Sequence, residues 1–264
     1  MSSTTFLILD PMVESWLFFG SPTPMLIIFT IYLSSVIIGS KIMKNRKPLK
    51  LHSLIRVYNL LQIAGCTYFS YIAHFKFGYN ALKSTWRCET NDMYIDTYDD
   101  LVQVFSLSWM FFWLRLIELL ETIFFILRKK QKQVSVLHVY HHISTLVFLY
   151  LGSRYSAEVM DIYCVVINND VHILMYIYYF LSSFKPLQTW LLMLKPVMTT
   201  IQIIQLILIF GQCVAEEVCG TCHLFHMGMF QITVLLMFFG NFYYQNYMKM
   251  KARKIDARMG LKID

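Results

Sequence analysis

Residues 134–151 read VSVLHVYHHISTLVFLYL, an apolar run that carries three histidines. His138, His141 and His142 occupy positions i, i+3 and i+4, so a helix places all three imidazoles on one face. Titratable groups at membrane depth are costly to retain and usually mark a functional site. The stretch therefore predicts a membrane helix that carries a polar site.

The composition extends this prediction to the whole chain. Of the 264 residues, 57% are hydrophobic and 15% are charged, and the mean hydropathy is +0.51, whereas soluble domains carry about 25% charged residues. A spanning helix needs roughly 20 apolar residues. The sequence predicts an all-α membrane protein, with residues 1–264 forming a single polytopic domain. Seven transmembrane helices are expected, at about 24–40, 55–75, 103–127, 138–152, 157–181, 188–212 and 224–247.

Charge is distributed unevenly between the two sides of this arrangement. Basic residues follow the first, third and seventh spans, as in the run 128–132 and the tail after residue 248, while acidic residues lie in the loops on the other side. The positive-inside rule then places the N-terminus in the lumen and the C-terminus in the cytosol. The basic residues do not imply nucleic acid, but they would attract a phosphorylated carrier such as a coenzyme A ester.

The predicted topology divides the six cysteines into two groups. Cys66 and Cys164 lie within spans, whereas the other four lie in or near lumenal loops, where an oxidising compartment permits disulfides. We expect a bridge between Cys88 and Cys219, with Cys222 as the competing partner, and no metal site.

In each of four consecutive spans, polar side chains recur three or four residues apart and so form a stripe along one face of the helix. A single polar stripe has a structural explanation, because Gln and Asn often join membrane helices by hydrogen bonds. Four facing stripes instead predict a polar cavity among spans three to six, near their cytosolic ends. Besides the three histidines, the stripes comprise Arg115, Glu118 and Glu121; Asn168, His172, Tyr176 and Tyr179; and Lys195, Gln202 and Gln205.

The ordered set of motifs resembles the very-long-chain fatty acid elongases, the ELO family of condensing enzymes of the endoplasmic reticulum. The resemblance runs from about residue 24 to 250 and departs from the family pattern at Arg115 (usually Lys), Glu121 (usually Asp), Leu146 (usually Pro) and Asp170 (usually apolar or small). The motifs that carry it are LRLIELLET at 114–122, LRKK at 127–130, QVSVLHVYHH at 133–142, HILMYIYY at 172–179 and Thr199-x-x-Gln202-x-x-Gln205.

The resemblance implies a Claisen-type condensation in the endoplasmic reticulum membrane. A long-chain acyl-CoA and malonyl-CoA would give a 3-ketoacyl-CoA two carbons longer, with release of CoA and carbon dioxide and no cofactor beyond these substrates. It also implies that six of the seven helices enclose a narrow substrate tunnel. Association with other enzymes of the elongation cycle, and a homo-oligomer, are compatible with the sequence.

The residue roles are assigned on the same basis. The resemblance places the middle histidine of the box nearest the reacting centre, so we expect His141 to accept the acyl group, since a neutral imidazole attacks thioesters and its ordinary pKa is about 6.5. His138 and His142 would orient it or shuttle its proton, and His172 would act as general base or stabilise an enolate. Asn168 and Gln202 would donate to the oxyanion, and Arg115 and Lys195 would bind phosphates or the malonyl carboxylate. The remaining substrate-binding candidates are Glu118, Glu121, Tyr176, Tyr179 and Gln205.

Two other functions remain open from the residues alone. A membrane di-iron desaturase or hydroxylase also uses histidine boxes, but iron needs more ligands than the four histidines that converge here. A seven-span receptor or transporter would allow the same topology, although the stripes lie on the cytosolic side and inverted-repeat segments are lacking.

Overall fold

The computed structural model describes residues 14–76, 97–155, 159–219 and 225–249, and all regular secondary structure within these ranges is helical, which confirms the all-α prediction. A 3₁₀ turn, Gln131–Gln133, precedes the histidine-bearing helix. The first helix contains a π-helical segment, Ser35–Gly39, and the last continues as a π-helical turn, Tyr244–Met248. The helices are α1 (Thr23–Met43), α2 (His52–Lys76), α3 (Tyr98–Leu127), α4 (Val136–Tyr155), α5 (Val159–Ser182), α6 (Lys185–Cys219) and α7 (Phe225–Tyr243).

Four of these helices are long and apolar enough to cross a membrane: α1, α5 from Ile162, α6, and α7 with its π-helical extension. Helices α2, α3 and α4 overlap the predicted spans 55–75, 103–127 and 138–152 but are not among these four. The length and composition of the four helices indicate a multi-pass membrane protein, while the count of seven spans stays a prediction.

The burial pattern of α2 is the reverse of that of a soluble helix. Asn59 and Gln62 are buried, whereas their neighbours Leu60 and Leu61 are exposed. A helix surrounded by hydrocarbon turns its polar groups towards other protein, because lipid cannot satisfy them. The polar residues that weaken the apolar signal of this span thus lie on its packed side.

Local hydrogen bonds set the starts of two of the four helices that carry polar stripes. Thr97 and Asp100 form a reciprocal capping box at the start of α3, with the Asp100 N–H donating to Thr97 Oγ1 at 3.2 Å. The His138 N–H donates to Ser135 Oγ at 3.2 Å, at the start of α4. As a result, the histidine box occupies the first two turns of α4.

The helices pack in a closed ring. Helix α2 contacts α3 and α5, α5 contacts α6, α6 contacts α7, and α7 returns through α4 to α3. Helix α1 lies outside this ring against α3. The prediction that six helices enclose a substrate tunnel stays a prediction.

The thiols of the described residues fall into two states. Cys66, Cys164 and Cys213 are present as thiols, and Cys164 Sγ donates to Gln212 Oε1 at 2.9 Å, whereas Cys219, at the end of α6, is disulfide-bonded. The predicted partner Cys88 and its competitor Cys222 lie outside the described residues.

A close helix crossing at Gly65 provides a test of the packing. A Cβ atom at Gly65 would lie 2.8 Å from Leu114 Cδ2, whereas one at Gly152 meets nothing within 4 Å. Both glycines are helical, so Gly65→Val and Gly152→Val share the same change in helix propensity. We expect Gly65→Val to lose roughly 1–3 kcal/mol more, the usual effect of overpacking, measured as a lower thermal midpoint of the detergent-solubilised protein. Equal midpoints for the two variants would contradict the crossing.

Candidate active site

A cavity of about 320 Å³ lies among α3, α4, α5, α6 and α7. Apart from Arg115, all the residues predicted for the site line it, which brings side chains from four separate sequence motifs together. These residues are Glu118, Glu121, His138, His141, His142, Asn168, His172, Tyr176, Tyr179, Lys195, Gln202 and Gln205.

The three histidines of α4 share one face, as their spacing predicts. The ring centroids of His138 and His142 are 4.3 Å apart, and those of His141 and His142 are 5.6 Å apart. His138 Nε2 lies 2.8 Å from Thr122 Oγ1, which in turn lies 2.8 Å from the Tyr32 hydroxyl of α1. His138 is therefore held by a hydrogen-bonded pair of hydroxyls, while His141 lies deeper along the helix.

Histidines of two helices meet in this cavity. The rings of His141 and His172 are nearly parallel, with an interplanar angle of 19° and centroids 6.3 Å apart. Phe239 of α7 lies edge-on to His141, with centroids 6.5 Å apart. Two imidazoles in this arrangement form the wall of a shared polar pocket that is closed by an aromatic ring on one side.

Arg115 forms the centre of a buried charged cluster behind the cavity wall. Arg115 and Glu118 are 2% and 1% exposed, and the guanidinium contacts Glu118 Oε1 and His172 Nδ1 through the same nitrogen. Its other terminal nitrogen donates to Asn169 Oδ1 at 2.9 Å. Glu118 Oε1 also lies 2.9 Å from His172 Nδ1. Two charges removed from water in this way depend on hydrogen-bond partners. Helices α3 and α5 supply these for the terminal nitrogens of Arg115, while its Nε has no partner within the described residues.

Amide and phenol groups complete the polar lining. Asn168 Nδ2 donates to Gln205 Oε1 at 3.4 Å, and the buried Nε2 of Gln205 has no partner in the described part of the chain. The hydroxyls of Tyr58 and Tyr176 lie 3.4 Å apart. The weak amide pairing leaves N–H donors on α5 and α6 that face the cavity.

A second, basic cavity of about 610 Å³ adjoins the first. The two share a wall that includes Glu121, Tyr179 and Lys195. The larger cavity is also lined by four further basic or titratable side chains and by the buried Asn59, whose Nδ2 has no partner within the described residues. The basic lining consists of His52, Arg128, Lys130, Lys185 and Lys195.

Some residues of the site carry no signal in the sequence pattern. Phe239, Phe242 and Tyr247 contribute a wall from α7, a helix without a polar stripe. Asn169, the buried partner of Arg115, is adjacent to the predicted Asn168 but points to the other side of α5. Among the residues described, no cluster of three or more His, Cys, Asp and Glu side chains is arranged to hold a metal ion.

Comparisons with known proteins give a consistent result. A model of the ELO family, described as the GNS1/SUR4 family, matches residues 17–255. The chain is 33% identical to human very long chain fatty acid elongase 1, covering 92% of this chain and 88% of that protein. It is 32% identical to human elongase 4, covering 95% and 79%, and 31% identical to elongase 7 of Rattus norvegicus, covering 91% and 86%.

Removal of the carboxylate next to Arg115 tests the charged cluster. Glu118→Ala leaves a guanidinium buried without its anionic partner, a loss of roughly 3–5 kcal/mol in other buried pairs, whereas Glu118→Gln keeps an acceptor of similar size. We expect the thermal midpoint to fall most in Glu118→Ala, less in Glu118→Gln, and little in the control Glu217→Ala, whose side chain is exposed. A midpoint of Glu118→Ala equal to that of the control would contradict the cluster.

Proposed function

This chain belongs to the ELO family, and from that membership we propose that it condenses a long-chain fatty acyl-CoA with malonyl-CoA to give a 3-ketoacyl-CoA. As a member of this family, it is a membrane-embedded enzyme of fatty acid elongation that acts on acyl-CoA. We further propose that it resides in the endoplasmic reticulum, with a lumenal N-terminus and a cytosolic C-terminus. We also propose that it has seven membrane spans, six of which surround the acyl chain.

The observation that carries the proposal is the meeting of His141 and His172, from two helices, in one cavity. Of the described cysteines, Cys66, Cys164 and Cys213 do not line the cavity. An imidazole is then the nucleophile best supported by the lining, since it attacks thioesters to give an acyl-imidazole. His141 takes this role, because it lies between the other box histidines and His172.

The reaction proceeds in two balanced steps. A ring nitrogen of His141 attacks the thioester carbon, the carbon–sulfur bond breaks, and CoA leaves with a proton. Malonyl-CoA then loses carbon dioxide, and the resulting enolate carbon attacks the acyl carbon. The new carbon–carbon bond forms as the bond to His141 breaks. The departing imidazolate takes one proton from water, which restores the imidazole, and the released product is two carbons longer.

His172 is oriented for proton transfer by Glu118. His172 Nδ1 lies 2.9 Å from Glu118 Oε1 and also contacts the Arg115 guanidinium, so this ring nitrogen is engaged within the charged cluster. Nε2 is then the ring nitrogen left to exchange a proton with the substrate. The Asn168 and Gln202 amides supply donors for developing negative charge, a role worth roughly 3–4 kcal/mol per donor elsewhere.

The basic cavity provides a place for the CoA phosphates. Lys195 is exposed and lines both cavities, so it can contact a phosphate while the thioester reaches the histidines. Arg115 lines neither cavity. We therefore assign phosphate binding to Lys195 and its basic neighbours, and assign to Arg115 the role of holding Glu118 and His172.

Family membership favours condensation over the receptor, transporter and di-iron alternatives. A receptor or a transporter would incorporate no radiolabel from malonyl-CoA, so this assay distinguishes both from a condensing enzyme. Metal analysis of the purified protein distinguishes a di-iron enzyme from a condensing enzyme. Association with other elongation enzymes and self-association stay predictions.

His141→Ala tests the nucleophile. We expect the variant to lose all detectable incorporation of malonyl-CoA carbon and to form no covalent acyl adduct in intact-mass spectrometry after incubation with acyl-CoA. His226→Ala, an exposed histidine outside the cavity lining, should retain both properties. An active His141→Ala variant with a normal thermal midpoint would refute the assignment.

Lys195→Ala tests the phosphate site. Hydrogen bonds to charged groups contribute roughly 1.5–3 kcal/mol, so we expect KM for acyl-CoA to rise about tenfold, which corresponds to about 1.4 kcal/mol. Lys195→Arg should restore most of the affinity, and the exposed Lys249→Ala should leave KM unchanged. A normal KM in Lys195→Ala would remove Lys195 from the CoA site.

A further inference from the structure

A chain of hydrogen bonds runs from Arg115 away from the cavity to the outer side of the contact between α2 and α5. Arg115 donates to Asn169 Oδ1 at 2.9 Å, and Asn169 Nδ2 donates to Ser70 Oγ at 2.8 Å. Ser70 donates to Asp170 Oδ1 at 2.5 Å, and His74 Nε2 lies 3.0 Å from Asp170 Oδ2. Asn169 is fully buried, and Ser70 is 6% exposed.

In every hydrogen bond between Arg115 and Asp170, the donor lies on the Arg115 side and the acceptor on the Asp170 side. A guanidinium has only donors and a carboxylate has only acceptors, so the two ends of the chain differ in kind. Asn169 and Ser70 each accept from the Arg115 side and donate towards Asp170. Bonds aligned in this manner polarise one another, which strengthens the set beyond its single members.

The carboxylate at the end of the chain determines how Asn169 is turned. Asp170 takes the Ser70 hydroxyl proton, so the Ser70 oxygen presents its lone pairs to Asn169. The second Asn169 N–H donates to the Cys66 carbonyl at 2.7 Å, so both amide protons point to α2 and Oδ1 faces Arg115. A reversed amide would place N–H groups against the guanidinium, two donors face to face.

We propose that Asp170 is a positioning residue for the reaction: through Ser70 and Asn169 it fixes the guanidinium of Arg115, and thereby Glu118 and His172. The inference rests on the proposed function only for its activity readout. A carboxylate at membrane depth is costly, and this role accounts for the presence of Asp170 within α5. The chain is not a proton path, since a guanidinium stays protonated at accessible pH.

The experiment compares Ser70→Ala, Asp170→Ala, Asp170→Asn and the Ser70→Ala/Asp170→Ala double variant of the full chain. In each, kcat and KM for malonyl-CoA are measured with the thermal midpoint. Ser153→Ala is the matched control, because Ser153 is as buried as Ser70 but lies on α4 outside the chain of bonds.

We expect each alanine variant to lower kcat about tenfold, with KM unchanged, and the double variant to be no slower than either, since residues in one network are non-additive. Asp170→Asn keeps an acceptor for Ser70 and should recover most of kcat. Additive losses, a normal kcat in Asp170→Ala, or the same loss in Ser153→Ala would each overturn the proposal. A wild-type protein that incorporates no malonyl-CoA carbon would instead refute the proposed function.

Discussion

The buried pair of Arg115 and Glu118 is the constraint on which the rest of the site depends. Two charges taken out of water are expensive unless hydrogen bonds satisfy their remaining donors and acceptors. Here the partners come from α5, as His172 and Asn169, and Asn169 in turn bonds to α2. These contacts therefore hold three helices together and orient one of the two imidazoles that meet in the cavity.

Helical periodicity explains why the polar faces of the helices could be predicted from the sequence. The spacings within α3, α4, α5 and α6 depend only on the geometry of one helix, and these stripes do line a common cavity. The predicted helix ends were less accurate than the predicted polar faces. Helix α3 begins at Tyr98, before the expected residue 103, because Thr97 and Asp100 cap it, and α6 continues to Cys219, beyond the apolar run that ends at 212.

The side-chain contacts between different helices could not be predicted from helical periodicity. Asn168 and Asn169 are adjacent, and nothing local distinguishes the one that faces the cavity from the one that bonds Arg115. Ser70 carries no signal until α2 and α5 are in contact. The aromatic wall from α7 was missed for another reason: Phe239 and Phe242 are the residues expected of any membrane helix, so their place in the lining follows only from the assembled ring.

The peripheral position of α1 affects how the histidine box is connected to the outside of the helix ring. It packs chiefly against α3, with Met25, Tyr32 and Met43 buried and most of its other large apolar side chains exposed. The tilt of such a peripheral helix responds to the hydrophobic thickness of the surrounding bilayer. Through the Tyr32 hydroxyl and Thr122, that tilt is linked to His138 by two hydrogen bonds. The histidine box is thus hydrogen-bonded, through Thr122, to the outermost helix of the structure, most of whose large apolar side chains are left free to contact lipid.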